Sequence, residues 1–292
     1  MRHNSHRLLL PLLLRRTYAT TATPPLITKT TIPAAHTGHI TLLTLSHPSA
    51  KNAISSALLN ELRQHITPLL HPTSSSPSTR ALVLASNVPG VFCAGADLKE
   101  RATFTPEQTA TFLANLRGAL RDISTLPIPT ISAISGLALG GGLELALATD
   151  LRILGTRAQV GLPETRLGII PGAGGTYRLP LLIGVSRAKD LIFTGRRVGA
   201  EEALRLGLAN RVFEVPEGEG GEGMEVVTTA AVELAGEICG GGPVSLRMGK
   251  RAIDGCCEEA ENKAYEGVVA TEDRNEALKA FREKRTPVFK GR

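Results

Sequence analysis

Tryptophan is absent from the 292 residues, and tyrosine and phenylalanine contribute only three and seven. So small an aromatic stock leaves few rings on which bases could stack, which weighs against nucleic-acid binding. It also obliges the core to be aliphatic. Cysteine is scarce too: Cys93, Cys239, Cys256 and Cys257 show no metal-ligand spacing, and adjacent Cys256 and Cys257 make a poor disulfide pair. Free thiols, as in a reducing compartment, are therefore expected. No stretch is both long and clean enough to span a bilayer, since the most apolar one, 136–154, carries Glu144, Asp150 and Arg152. Finally, no acidic residue occurs before Glu61.

That last absence locates the charge. The net charge is +6, but Arg2, Arg7, Arg15 and Arg16 all stand in the first 18 residues; without these four, 29 of the 33 basic residues face 27 acidic ones. A body so close to neutrality lacks the basic surface that a polyanion requires. The acid-free, Arg- and Ser/Thr-rich start has the composition of a mitochondrial presequence, with Arg16 two residues before a cut after Tyr18. A leader over 1–18 and a mature protein in the matrix are expected. A secretory signal built on residues 8–14 fits less well, because that run contains Pro11 and meets Arg15 and Arg16 instead of small residues.

Short β-branched apolar runs at 40–45, 81–85, 130–135, 151–154 and 211–215 read as strands. Helical periodicity fills 52–70 and 106–126 between them. Alternating strands and helices predict an α/β fold. Segments 71–79 and 216–223 have the composition of tolerated loop insertions. Beyond 226 strand signals stop, and helices are expected over 226–238, 243–266 and 270–285. The expected organisation is thus a leader (1–18), an α/β body (19–225) and a helical C-terminal region (226–292).

The chemistry concentrates in glycine-rich segments. In Phe-Cys-Ala-Gly-Ala-Asp-Leu-Lys-Glu (92–100), the turn before Leu98 offers the Ala96 N–H as a free donor, with Asp97 as a helix cap. In 136–150, Gly140, Gly141 and Gly142 open a helix and Glu144 stands alone in an apolar run. A carboxylate so placed has a raised pKa and exchanges protons near neutrality. Glu164 follows Pro163 in a first helical turn, where an acid ordinarily complements the macrodipole; only the company of Glu144 suggests chemistry. Backbone donors beside acid/base carboxylates suit enolate formation. The segment 170–176 lacks the Gly-Lys-Ser/Thr ending of a phosphate loop and carries Tyr177 where a dinucleotide fingerprint needs glycine, so it reads as a tight turn packing a helix start against the site. Cys93, with no histidine beside it, reads as a small buried thiol.

Taken in order, 81–85 leading to 92–100, then 136–150, 161–176, 194–212 and the end 281–290 resemble the crotonase (enoyl-CoA hydratase/isomerase) superfamily over residues 36–292. The resemblance implies a spiral of ββα turns with a helical C-terminal region that builds trimers or hexamers. It implies that the N–H groups of Ala96 and Gly141 form an oxyanion hole, that Glu144 activates water and that Glu164 protonates Cα. It further implies that Asp97, Leu98 and Lys99 border the CoA and that Lys290 reaches a neighbouring subunit's CoA phosphate. No cofactor is implied beyond the coenzyme A carried by the substrate, and no metal.

Within the superfamily the segments 86–101 and 136–148 are most similar to hydratases of 3-methylglutaconyl-CoA in leucine breakdown. Short-chain enoyl-CoA hydratases and isomerases of β-oxidation are the alternatives. A glutaconyl substrate would call for a cation, with Arg101, Arg166 and Arg178 as candidates, Arg101 first because it lies one helical turn beyond Ala96. RNA binding on the same fold is not expected, because 52–70 lacks the lysines such relatives use.

Overall fold

A computed structural model describes residues 24–70, 78–216 and 222–292. The leader at 1–18, most of the 71–79 insertion and the middle of the 216–223 insertion lie outside the described residues. The chain enters through an antiparallel pair, β1 (Ile27–Pro33) and β2 (His39–Leu45), and then α1 (Ser56–Leu70). It next winds in a repeating course of two strands and a helical stretch. β3 (Thr79–Ser86) leads to β4 (Val91–Cys93), α2 (Leu98–Arg101) and α3 (Pro106–Ser124). β5 (Thr130–Ile134) leads to β6 (Leu137–Leu139) and α4 (Gly141–Leu147). β7 (Leu151–Gly155) leads to β8 (Gln159–Gly161), a 3-10 turn at Pro163–Leu167, α5 (Gly175–Ile183) and α6 (Val185–Thr194). β9 (Val198–Gly199), α7 (Ala200–Leu206) and β10 (Arg211–Phe213) complete the body, and α8 (Glu222–Cys239), α9 (Pro243–Gly255), α10 (Glu258–Val269) and α11 (Glu272–Glu283) follow.

Each course sends its first strand to a six-stranded sheet, β1-β2-β3-β5-β7-β10, and its second to a four-stranded one, β4-β6-β8-β9. The large sheet is parallel from β2 to β10. Parallel strands are buried on both faces, which is why β3 and β5 read as continuous apolar runs. Their residues alternate between two cores: Leu82 and Leu84 face α1, α3 and α4, whereas Ala81, Val83 and Ala85 face α8. Helix α8 presents Val227, Ala231, Ala235 and Cys239, four residues apart and fully buried, to that second face. The first helix of the C-terminal region therefore shares the core of the body.

Several elements depart from expectation. The strand β1 is polar in its middle and ends in proline, as suits an edge, so it shows no apolar run. The small sheet went unseen because its strands have two or three residues each. The helix expected over 243–266 is two helices, broken where Cys256 adopts φ 47° at the cap of α9. Helix α1 begins at Ser56, four residues later than expected, because Asn52 is held in a left-handed conformation (φ 54°).

Two cations, one buried and one half-buried, tie C-terminal segments to the body. Lys250 of α9 donates to Asp150 at 2.8 Å and to the Ile128 carbonyl. Arg80 of β3, 4% exposed, donates to the carbonyls of Thr37, Cys239 and Gly241.

Candidate active site

Three strands of the small sheet run parallel side by side, β4 against β6 and β6 against β8. Their C-terminal ends therefore lie together, and each is followed within three residues by a segment singled out in the sequence. Ala96 follows β4, Gly141 and Glu144 follow β6, and Glu164 follows β8. Residues nearly seventy positions apart meet because they hang from neighbouring strand ends, the usual place for a site in an open parallel sheet.

The turn at Ala96 is held from one side. Ile54 donates to the Gly95 carbonyl at 2.7 Å and accepts from the Asp97 N–H at 3.3 Å. Both flanks of Ala96 are thus fixed while its own N–H points away from this bridge. A Cβ built on Gly141 would lie 3.6 Å from that nitrogen, and one built on Gly95 3.6 Å from the Gly141 nitrogen, so the two backbone segments lie against each other. Among the described residues neither the Ala96 N–H nor the Gly141 N–H has an intramolecular acceptor. Gly95 is required here: its φ is 104° and a Cβ would stand 2.7 Å from the Leu139 carbonyl. Buried Asn52 holds the platform beneath by donating to Phe92 O and Ser86 Oγ and accepting from the His47 N–H. Asp97 caps α2, as expected, accepting from the N–H groups of Lys99 and Glu100; Leu98 and Lys99 are exposed on its first turn.

The two carboxylates are buried, Glu144 at 3% and Glu164 at 8% exposure. Glu144 Oε1 accepts from the N–H groups of Ala173 at 2.7 Å and Gly175 at 2.9 Å. Burial raises its pKa, and those two donors, with Arg178 and Arg117 beyond them, work the other way. Glu164 Oε2 is buried with no partner at all. Burial pushes its pKa up to about 7, and the nearby charge of Glu144 adds to the rise. Its Oε1 packs on Gly140, where a Cβ would come within 3.0 Å. Both carboxyls therefore lie above the ordinary carboxylate range: Glu144 keeps two N–H donors that favour its ionised form, whereas Glu164, with a bare Oε2, is poised to carry a proton near neutral pH.

The structure brings Ala96, Gly141, Glu144 and Glu164 together, with Asp97, Leu98 and Lys99 on their rim. Lys290 is not tied to this group: its N–H is held by Asp273 in the first turn of α11. The turn at 170–176 does pack a helix start against the site, but its part in holding Glu144 through two backbone donors was missed; the run of glycines at 172, 174 and 175 was the available signal. Of the candidate cations, Arg101 lies over the Phe112 ring at 4.9 Å, Arg166 donates to Thr194 O, and Arg178 is spent on the carbonyls of Ala173 and Leu120. Cys93 is fully buried and its thiol is pushed up to about 12 by burial, so it is inert. All four cysteines are free. Among the described residues no cluster of three or more His, Cys, Asp or Glu could hold a metal ion, and no helix is long and apolar enough to cross a membrane.

Residues 35–292 match the sequence profile of the enoyl-CoA hydratase/isomerase family. The chain belongs to that family. An enoyl-CoA isomerase/hydratase of Zymoseptoria tritici is 57% identical, the alignment covering 89% of this chain and 87% of the relative. A mitochondrial methylglutaconyl-CoA hydratase of Pyricularia oryzae is 52% identical over 92% of this chain and 87% of its own. The crystal structure of an enoyl-CoA hydratase from Bacillus anthracis superposes with a TM-score of 0.82 at 42% identity, covering 91% of this chain and all of that one. The α/β spiral with its helical C-terminal region is accordingly the crotonase fold, and the chain is an enzyme of a family that acts on acyl-CoA thioesters.

Proposed function

We propose that the protein hydrates the α,β double bond of an enoyl-CoA thioester. The observation that carries this is the unequal wiring of two buried carboxyls, Glu144 Oε1 taking two N–H bonds and Glu164 Oε2 taking none. The thioester oxygen lies between the N–H groups of Ala96 and Gly141, which stabilise it as charge develops; one such donor is worth on the order of 3 kcal/mol of barrier. Ionised Glu144 takes a proton from water as the oxygen bonds to Cβ, and the π electrons move onto the thioester as an enolate. Glu164 then gives its proton to Cα, and the proton held by Glu144 returns to Glu164 through solvent. Net, one water is added and the enzyme is restored. No cofactor is needed beyond the coenzyme A of the substrate, bordered by Asp97, Leu98 and Lys99, with Lys290 reaching a neighbouring subunit's CoA phosphate.

The proposed substrate is 3-methylglutaconyl-CoA, giving 3-hydroxy-3-methylglutaryl-CoA, supported by the similarity to a methylglutaconyl-CoA hydratase. Initial rates with crotonyl-CoA and 3-methylglutaconyl-CoA test this directly. A higher kcat/KM for the methylglutaconyl thioester is expected; preference for crotonyl-CoA would overturn the substrate while leaving hydration standing. Location in the mitochondrial matrix, after loss of residues 1–18, belongs to the same proposal, and an endogenous protein that still begins at Met1 would contradict it. RNA binding is not part of it, since α1 carries no lysine.

A further inference from the structure

The loop that holds Glu144 is itself held from outside. Arg117 stands on the exposed side of α3, and its Nε donates to the Gly172 carbonyl at 2.6 Å. That carbonyl belongs to the same peptide group as the Ala173 N–H, which donates to Glu144 Oε1 at 2.7 Å. A guanidinium and the buried carboxylate thus address opposite ends of one peptide. A peptide whose C=O accepts from a cation becomes a better N–H donor, and such chains reinforce one another in a site of low dielectric. Among the described residues no carboxylate pairs with Arg117, so its charge is not cancelled locally. We propose that Arg117 is a positioning residue that fixes and polarises the Gly172–Ala173 peptide and so keeps Glu144 oriented and ionised from the protein surface.

The other charged or titratable groups around Glu144 are Glu164 from the 3-10 turn, Arg178 from α5 and Cys93 from β4. Arg178 holds the next carbonyl of the loop, Ala173 O, at 3.0 Å, but that peptide gives its N–H to no atom of Glu144. Cys93 stays a neutral thiol. Among the described residues only Arg117 reaches the base through a single peptide.

This inference rests on Glu144 acting as the base, and the test separates the two ideas. In the full-length protein, Arg117→Met removes charge and donor while keeping an aliphatic stem, and Arg117→Lys restores charge and one donor. The Glu144 carboxyl is followed by carbon-13 NMR, its signal assigned by its loss in Glu144→Gln, and kcat is measured against pH with an enoyl-CoA. Arg117→Met should raise the Glu144 titration, and with it the acidic limb of the kcat profile, by roughly half a pH unit. KM at the plateau should stay within about twofold, as for a group that does not touch substrate. Arg117→Lys should recover most of the shift. An unmoved Glu144 titration in Arg117→Met overturns the proposal, as does a raised KM with a fixed acidic limb, which would make Arg117 a substrate contact. A shifted titration in a protein that hydrates no enoyl-CoA would keep the positioning role and sink the hydratase reading instead.

Discussion

Glu144 and Glu164 are the same side chain in two electrostatic settings, and the difference can be measured at the level of single residues. Replacing either by glutamine is expected to lower kcat by about a hundredfold or more, the scale for losing a general acid or base. The double variant should lose less than the product, because both act on one water; near wild-type turnover in a single variant would remove that residue from the mechanism. Glu164 also leaves a mark on stability. Its folded pKa of about 7 lies above its ordinary value of 4.5, so the protonated form fits the fold and the ionised form does not. This contribution is fully present below about pH 4.5 and is lost progressively as pH rises through about 7. Glu164→Gln is insensitive to that loss. Its melting temperature should match the wild type near pH 4.5, exceed it by pH 7 and stay higher above; a gap independent of pH would contradict the buried, unpartnered Oε2.

At the scale of elements, the small sheet brings the site residues together, and its strands have only two or three residues each. The large sheet and the long helices were legible because β-branched runs and helical periodicity extend over enough residues to show a period. Strand β10, equally short, was legible only because its apolar run continues to Val215, whereas the strands of the small sheet are too short to show a period of their own. The glycines around them were legible instead, since a carboxylate in an apolar run and a turn without side chains are local signals. What stayed hidden was partnership across the chain: Ile54 beneath Ala96, Ala173 and Gly175 beside Glu144. Strain and reach can be separated by comparing two glycines. Gly140 (φ 53°) and Gly90 (φ 68°) both hold left-handed backbone, but only at Gly140 does a Cβ meet Glu164, at 3.0 Å. Alanine at either is strained by the positive φ, which costs on the order of 1 kcal/mol or more. Gly140→Ala should in addition lower kcat by about tenfold or more by displacing an acid that must lie in hydrogen-bond reach of its target, whereas Gly90→Ala should leave kcat intact. Equal effects on kcat would mean that contact with Glu164 is immaterial.

Over the whole molecule, among the described residues, large apolar side chains remain uncovered at Leu98, around 167–170 and on two sets of helices. One set is α5 and α6, with Leu181 and Phe193 at 84% and 69% exposure; the other is the C-terminal helices, with Ile253 and Phe281 at 78% and 84%. Exposed apolar groups gathered in this way mark surfaces that meet another chain, in keeping with the trimer or hexamer that the crotonase resemblance implies. Light scattering should give three or six chain masses, and Leu181→Asp or Phe281→Asp should lower that mass; a monomeric wild type would rule the assembly out. The C-terminal helices also matter to the single chain, because Arg80 in β3 finds two of its carbonyl partners 159 and 161 residues later. Seen from the ribosome, the third strand emerges with a cation for which only the side of the berth at Ala35 and Thr37 has been synthesised. The sheet face around it stays wet until α8 and residues 239–241 arrive, so a segment translated long after β3 is the part that lets one of the first strands become dry.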